Sequence, residues 1–171
     1  MIFYIKCFVI LAIILLCTIL GNRKANTFKL RELELKNIQD ALQIFISKIE
    51  YTYKPISEIF EEISKVVYLE ENNIFKRTNT ILNEKKSTIA EAWNISVEEE
   101  NNLMAEDKEI IKMLGRMLGK TDKAGQIAEI QVTNNFLNTQ ILRAEEEKKK
   151  NTKLYKTLGT VIGCGIGIIL F

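Results

Sequence analysis

Gly115, Gly119, Lys120 and Thr121 follow one another in the order of a phosphate-binding loop. Such a loop needs four residues between its glycines and a strand before it, so that backbone N–H groups can curl round the phosphates. Here only Arg116, Met117 and Leu118 intervene, and Ile110, Ile111, Leu114, Met117 and Leu118 recur at helical spacing. The stretch from Leu114 to Gln126 therefore reads as helix, tight turn, helix. Gly119 stands where a left-handed cap residue ends the first helix. Thr121 or Asp122 caps the second, whose apolar face begins at Ile127 and Ile130.

Other chemistry is scarce. The chain has no histidine, which removes the commonest general base and metal ligand near neutral pH. Cys7, Cys17 and Cys164 all lie in apolar terminal runs, none at zinc spacing, with Lys6 the only nearby cation. A carboxylate pair such as Glu50 with Glu58 could do acid–base work. No nucleophile paired to a base accompanies it, and solvated helix faces account for the glutamates more simply. The expectation is a non-enzymatic chain with no cofactor and no metal.

Charge is segregated. From Glu32 to Glu147 there are 14 Lys or Arg against 22 Asp or Glu, and these are all the acids in the chain. The flanks are basic: Arg23, Lys24, Lys29 and Arg31 on one side, Lys148, Lys149, Lys150, Lys153 and Lys156 on the other. Basic flanks beside apolar runs suit anionic lipid head groups. The acidic centre argues against nucleic acid, whose binders carry a basic patch.

The positioning elements follow from hydrophobic pattern. The run from Cys7 to Leu20 is uninterrupted, and Lys6 can snorkel, which extends the usable span to residues 1–21. Small residues are poorly placed for signal cleavage near Gly21 and Ala25, which favours an uncleaved anchor. A second apolar run occupies residues 158–171, preceded by a lysine cluster and by Tyr155 as an interface anchor. Positive charge follows the first run and precedes the second, so the positive-inside bias puts residues 22–157 in the cytoplasm. Gly159, Gly163 and Gly167 recur at intervals of four, a spacing that lets membrane helices approach closely. Their partner is the first apolar helix or a neighbouring copy, which leaves self-association open.

Between the runs, all patterns are helical. Leu30, Leu33, Ile38, Ala41, Leu42, Phe45 and Ile49 form a stripe that ends before Pro55. Ile56, Ile59, Phe60, Ile63 and Val67 form the next, with Pro55 in its first turn. Ile74, Phe75, Ile81 and Leu82 suggest a third. Thr88 with Glu91 makes a capping box for a short helix that turns Ile89, Ala92 and Trp93 inward. Ile127, Ile130, Asn134, Leu137, Ile141 and Ala144 keep a heptad repeat through a long last helix, which runs on towards the membrane as one rod. The fold class is all-α: a helical bundle flanked by N- and C-terminal transmembrane helices.

Four blocks carry a resemblance over nearly the whole chain. They are Ala41-Leu42-Gln43 leading to Ile49-Glu50-Tyr51 and Pro55-Ile56-Ser57-Glu58; Glu91-Ala92-Trp93; Leu114 to Gln126; and Lys153-Leu154-Tyr155 with Leu158-Gly159. With a membrane segment at each end, the chain resembles the stage III sporulation protein AB family of endospore-forming bacteria. Lys6 in the first apolar segment and a nondescript stretch from Tyr68 to Lys86 depart from it. The resemblance implies a membrane component of the mother cell–forespore channel, in the outer forespore membrane. It also implies a cytoplasmic domain similar to the helical F domain of type II secretion and type IV pilus platform proteins. Its implied partners are the sporulation ATPase, stage III protein AA, and other channel-complex membrane proteins.

A docking patch is expected from Glu50, Tyr51, Pro55 and Glu58 together with the turn at Lys120, Thr121, Asp122 and Gln126. Each group lies at a helix–helix junction. The local alternative is that Asp122 only caps its helix, Tyr51 packs in the core and Glu50 is merely solvated. The alternative function is a membrane-anchored helical regulator or scaffold with no part in a channel.

Overall fold

A computed structural model describes residues 2–52, 54–66, 73–85, 87–118 and 122–170. Its elements are α1 (Ile2–Tyr51), α2 (Ile56–Ser64), α3 (Ile74–Lys85), α4 (Ile89–Glu98), α5 (Ala105–Met117) and α6 (Lys123–Leu170). Among the described residues there is no strand. The chain forms two compact units, one of residues 33–141 and one of residues 1–32 with 142–171. The long helices α1 and α6 each contribute to both.

Local chemistry explains most helix ends in the unit of residues 33–141. The α1 helix stops at Tyr51, before the proline at position 55. Pro55 is the N-cap of α2 with φ −58° and ψ 150°, and its carbonyl accepts from the Glu58 and Ile59 amides. The expected capping box at α4 forms: Thr88 Oγ1 accepts from the Glu91 amide at 3.3 Å, and Glu91 accepts from the Thr88 amide at 3.0 Å. The Thr88 amide holds the Glu91 carboxyl below its usual pKa. Asp107, fully buried, accepts from the Met104 amide at 2.9 Å and caps α5 from inside.

The core of this unit is aromatic. Phe45 from α1, Phe60 from α2, Phe75 from α3 and Trp93 from α4 are all at most 1% exposed. Phe45 meets Phe60 edge-on with centroids 5.1 Å apart, and Trp93 meets Phe60 and Phe75 edge-on at 5.6 and 5.3 Å. The indole N–H of Trp93 donates to the Ile111 carbonyl at 2.8 Å, which ties α4 to α5. Arg77 bridges α3 to the end of α4 through Glu100 at 2.7 Å and the Ser96 carbonyl at 3.1 Å. Along the other side α6 runs antiparallel to α1. Gln39 donates to the Asn134 carbonyl at 3.4 Å, and Lys123 donates to the Thr52 carbonyl at 3.0 Å.

The structure shifts the first stripe. Leu33 is 48% exposed and Leu30 half-buried, whereas Leu35 is fully buried. Buried Leu35, Ile38, Leu42, Phe45 and Ile49 follow spacings of three and four; the same spacing run backwards reaches Arg31, not Leu33. Val67 and Gly119 lie outside the described residues.

Gly115 takes its identity from this core. A methyl group there would lie 2.4 Å from Trp93 Cδ1. Gly115→Ala, which should favour an isolated helix by roughly 1 kcal/mol, is therefore expected to destabilise the protein by about 1–3 kcal/mol through overpacking. Urea unfolding followed by Trp93 fluorescence reads the sign directly.

Candidate docking site and membrane helix pair

The two junctions singled out in the sequence adjoin in space. Thr52, next to Tyr51, offers its carbonyl to Lys123, next to Asp122. Glu50, Pro55, Glu58 and Asp122, on the segments that this contact joins, are exposed, and Tyr51 is 79% exposed. Tyr51 is thus not a core residue, because α1 turns its apolar face through Ile49 and leaves position 51 outside. Asp122 does cap α6, accepting from the Gly125 amide at 2.9 Å, and stays exposed while doing so. Gln126 is 8% exposed and belongs to the packed side of α6, not to the surface patch. Lys120 and Thr121 lie outside the described residues.

The junction is braced by charge. Glu62 of α2 receives Lys48 of α1 at 2.6 Å and also Lys54 from the connecting segment. These two ammonium groups hold the Glu62 carboxyl down to about 2 and raise the pKa of Lys54. Sequence reading missed this clamp; its only local signal was a pair of lysines flanking the end of α1.

The unit of residues 1–32 and 142–171 is an antiparallel helix pair with almost no side chain at its crossing. A Cβ on Gly159 would stand 2.7 Å from the Cys17 carbonyl oxygen and 3.0 Å from Gly21 Cα. One on Gly163 would stand 3.0 Å from Ile14 Cα, and one on Gly167 2.9 Å from Ile10 Cγ2. Gly21 supplies the matching small residue on α1: its own Cβ would lie 2.6 Å from the Tyr155 carbonyl oxygen. Gly165 faces open space. Above the glycines Phe28 stacks on Tyr155 with centroids 5.7 Å apart. Beyond them Arg31 pairs with Glu147 at 2.7 Å, and Lys148 pairs with Glu32.

Chemically the chain offers surfaces. Cys7 and Cys164 are exposed on the apolar helices and Cys17 is half-buried. Among the described residues no three His, Cys, Asp or Glu side chains are grouped to hold a metal ion.

Among the described residues, two helices are long and apolar enough to cross a membrane; together with a helical core built on four aromatic side chains they define a membrane-associated all-helical protein. The chain belongs to the stage III sporulation protein AB family, whose profile matches residues 6–171. Stage III sporulation protein AB of Bacillus subtilis (strain 168) is 24% identical over 161 residues, covering 92% of this chain and 94% of the relative. A solved structure of a stage III sporulation protein AB shares the fold with a TM-score of 0.62 at 21% identity, covering 71% of this chain and 98% of the other. Membership gives the chain a role in sporulation.

Two expectations follow. Glu62 titrates near 2 when folded against an ordinary value of 4.5, so its contribution is complete above about pH 4.5 and is lost as pH falls through about 2. Glu62→Gln should lower stability at pH 7 and flatten the loss between pH 4.5 and 2, as measured by melts across that range. In the helix pair, Gly159→Ala should cost about 1–3 kcal/mol, whereas Gly165→Ala should stay within about 0.5 kcal/mol. Thermal melts of the full chain in detergent separate the two.

Proposed function

We propose that this protein is a non-enzymatic platform component of the mother cell–forespore channel complex, linking a cytoplasmic ATPase to the intermembrane channel. It sits in the outer forespore membrane, with residues 22–157 on the cytoplasmic side and both termini across the bilayer. The glycine-lined helix pair is its anchor: Gly159, Gly163 and Gly167 let α6 lie backbone to backbone on α1 inside the membrane. The ATPase, stage III protein AA, docks on the junction of α1, α2 and α6.

The observation that carries this reading is that Glu50, Tyr51, Pro55, Glu58 and Asp122 are all exposed on the two helix junctions that the Thr52–Lys123 contact joins. An exposed aromatic beside unpaired-sign charge is the usual composition of an interface hot spot with a polar rim. Its acids would steer a basic patch on the motor.

Crosslinking of the full-length protein in sporulating cells, followed by capture and mass spectrometry, tests the link. The wild type should recover the ATPase together with channel membrane components. A variant carrying Glu50→Lys, Glu58→Lys and Asp122→Asn should lose ATPase recovery by on the order of tenfold or more. The asparagine keeps the α6 cap while removing its charge, so circular dichroism should not change. Undiminished ATPase recovery by the variant overturns the docking site, and absence of the ATPase from the wild-type capture overturns the link itself.

A further inference from the structure

The outer basic residues of the helix pair line a groove that no part of the docking reading uses. Its walls are Ile19, Asn22, Arg23, Asn26 and Lys29 of α1 and Lys156 of α6, and it encloses about 510 Å³. The α1 residues recur at spacings of three and four, so they share one face of the helix. We propose that this groove is a binding site for the phosphodiester head group of an anionic phospholipid.

Three observations carry the assignment. The first is depth. Arg23 follows closely on the apolar run from Cys7 to Leu20, Lys29 stands nearly two turns further along α1, and Lys156 directly precedes the run that begins at Leu158. Arg23 and Lys156 therefore stand at the level of the head groups when the apolar helices are in a bilayer, and Lys29 lines the same groove from the end farther from the apolar run. Ile19 closes the groove on the acyl side.

The second is charge. No Asp or Glu precedes Glu32 or follows Glu147 in the chain. The two carboxylates nearest the apolar runs in sequence are already engaged, Glu32 by Lys148 and Glu147 by Arg31. Among the described residues, no carboxylate pairs with Arg23, Lys29 or Lys156. Three cations on one groove repel one another unless an anion joins them.

The third is hydrogen-bonding chemistry. Arg23 presents a planar fork that matches phosphate oxygens, Lys29 and Lys156 are point charges, and Asn22 and Asn26 add amide donors at the same level. Basic pockets between membrane helices on the cytoplasmic side recognise anionic head groups in this way. The size suits a head group with its glycerol, within the range of small-molecule sites. The site is independent of the ATPase docking surface, so either can fail alone.

Native mass spectrometry of the full-length protein in detergent tests it, with phosphatidylglycerol, cardiolipin or phosphatidylcholine added, and with inorganic phosphate as competitor. The site variant carries Arg23→Gln, Lys29→Gln and Lys156→Gln. A control removes the same charge from the same unit through Lys149→Gln, Lys150→Gln and Lys153→Gln. The wild type and the control should retain an anionic lipid, and the site variant should bind it about 100-fold more weakly, at roughly 1 kcal/mol per cation. A phospholipid with a photoreactive head group should also label the wild-type peptides that contain Asn22–Lys29 and Lys156. That measurement needs no variant to fold. Equal loss in the control would mean diffuse attraction and overturn the site. So would equal binding of phosphatidylcholine, and displacement of the lipid by inorganic phosphate would assign the groove to free phosphate instead.

Discussion

A tryptophan buried completely must still find an acceptor for its indole N–H, and in this chain that need organises the helical core. Trp93 meets it with the carbonyl of Ile111, a group already inside the α5 helix. Reaching a helix carbonyl from the side requires that the next turn carry no side chain, and Gly115 stands there. With the indole fixed, its two faces and edge set where Phe60 and Phe75 can pack, and Phe60 in turn sets Phe45 of α1. One hydrogen bond thus fixes the mutual placement of five helices. An unmade bond at this depth would cost about 1–3 kcal/mol. The glycine that gives the sequence its false likeness to a phosphate loop is present because an indole lies against it.

The helix pair obeys a different constraint. Inside a bilayer no hydrophobic gain draws two apolar helices together, so close backbone packing has to do it. Gly21, Gly159, Gly163 and Gly167 provide that approach. At the end of the pair Arg31 is buried to 4% exposure and requires Glu147 beside it, since a buried guanidinium without a partner is heavily penalised. Glu147 is thereby taken by Arg31 and Glu32 by Lys148, which leaves the outer cations to anions from elsewhere.

What the sequence disclosed was what is local. The Thr88–Glu91 box, the stop before Pro55, the heptad from Ile130 to Ala144 and the glycine ladder each depend on residues within a few turns of one another. The aromatic character of the core followed from the stripes. The phase of the first stripe did not, because Leu30 and Leu33 mimic it while the buried face passes through Arg31, whose burial depends on a partner 116 residues away. Asp107 was equally hidden: it lies between Glu106 and Lys108 in a run that looks wholly solvated, and the hydrogen bond it accepts from the Met104 amide helps to make its burial tolerable. The junction of α1, α2 and α6 was legible as two separate corners. Their contact through Lys123 and Thr52 is a tertiary fact with no signature at either end.

Asn134 shows how the two kinds of information combine. Its place in the heptad was plain, and it is buried to 6% exposure with neither amide atom bonded to a described residue. A leucine there would avoid the desolvation cost of an unpaired amide. Yet a run of apolar heptads packed antiparallel accepts a slip of seven residues with little loss of apolar contact. A polar side chain at one layer removes that equivalence, because slipping moves it against a different apolar neighbour. Gln39 adds to the distinction by donating to the Asn134 backbone carbonyl at the same level, a bond that any slip breaks. Alignment matters at the far end of the same helices, where Asp122 must arrive beside the end of α1 for Lys123 to reach Thr52. The stability given up at Asn134 is therefore tied to the register that assembles the exposed junction.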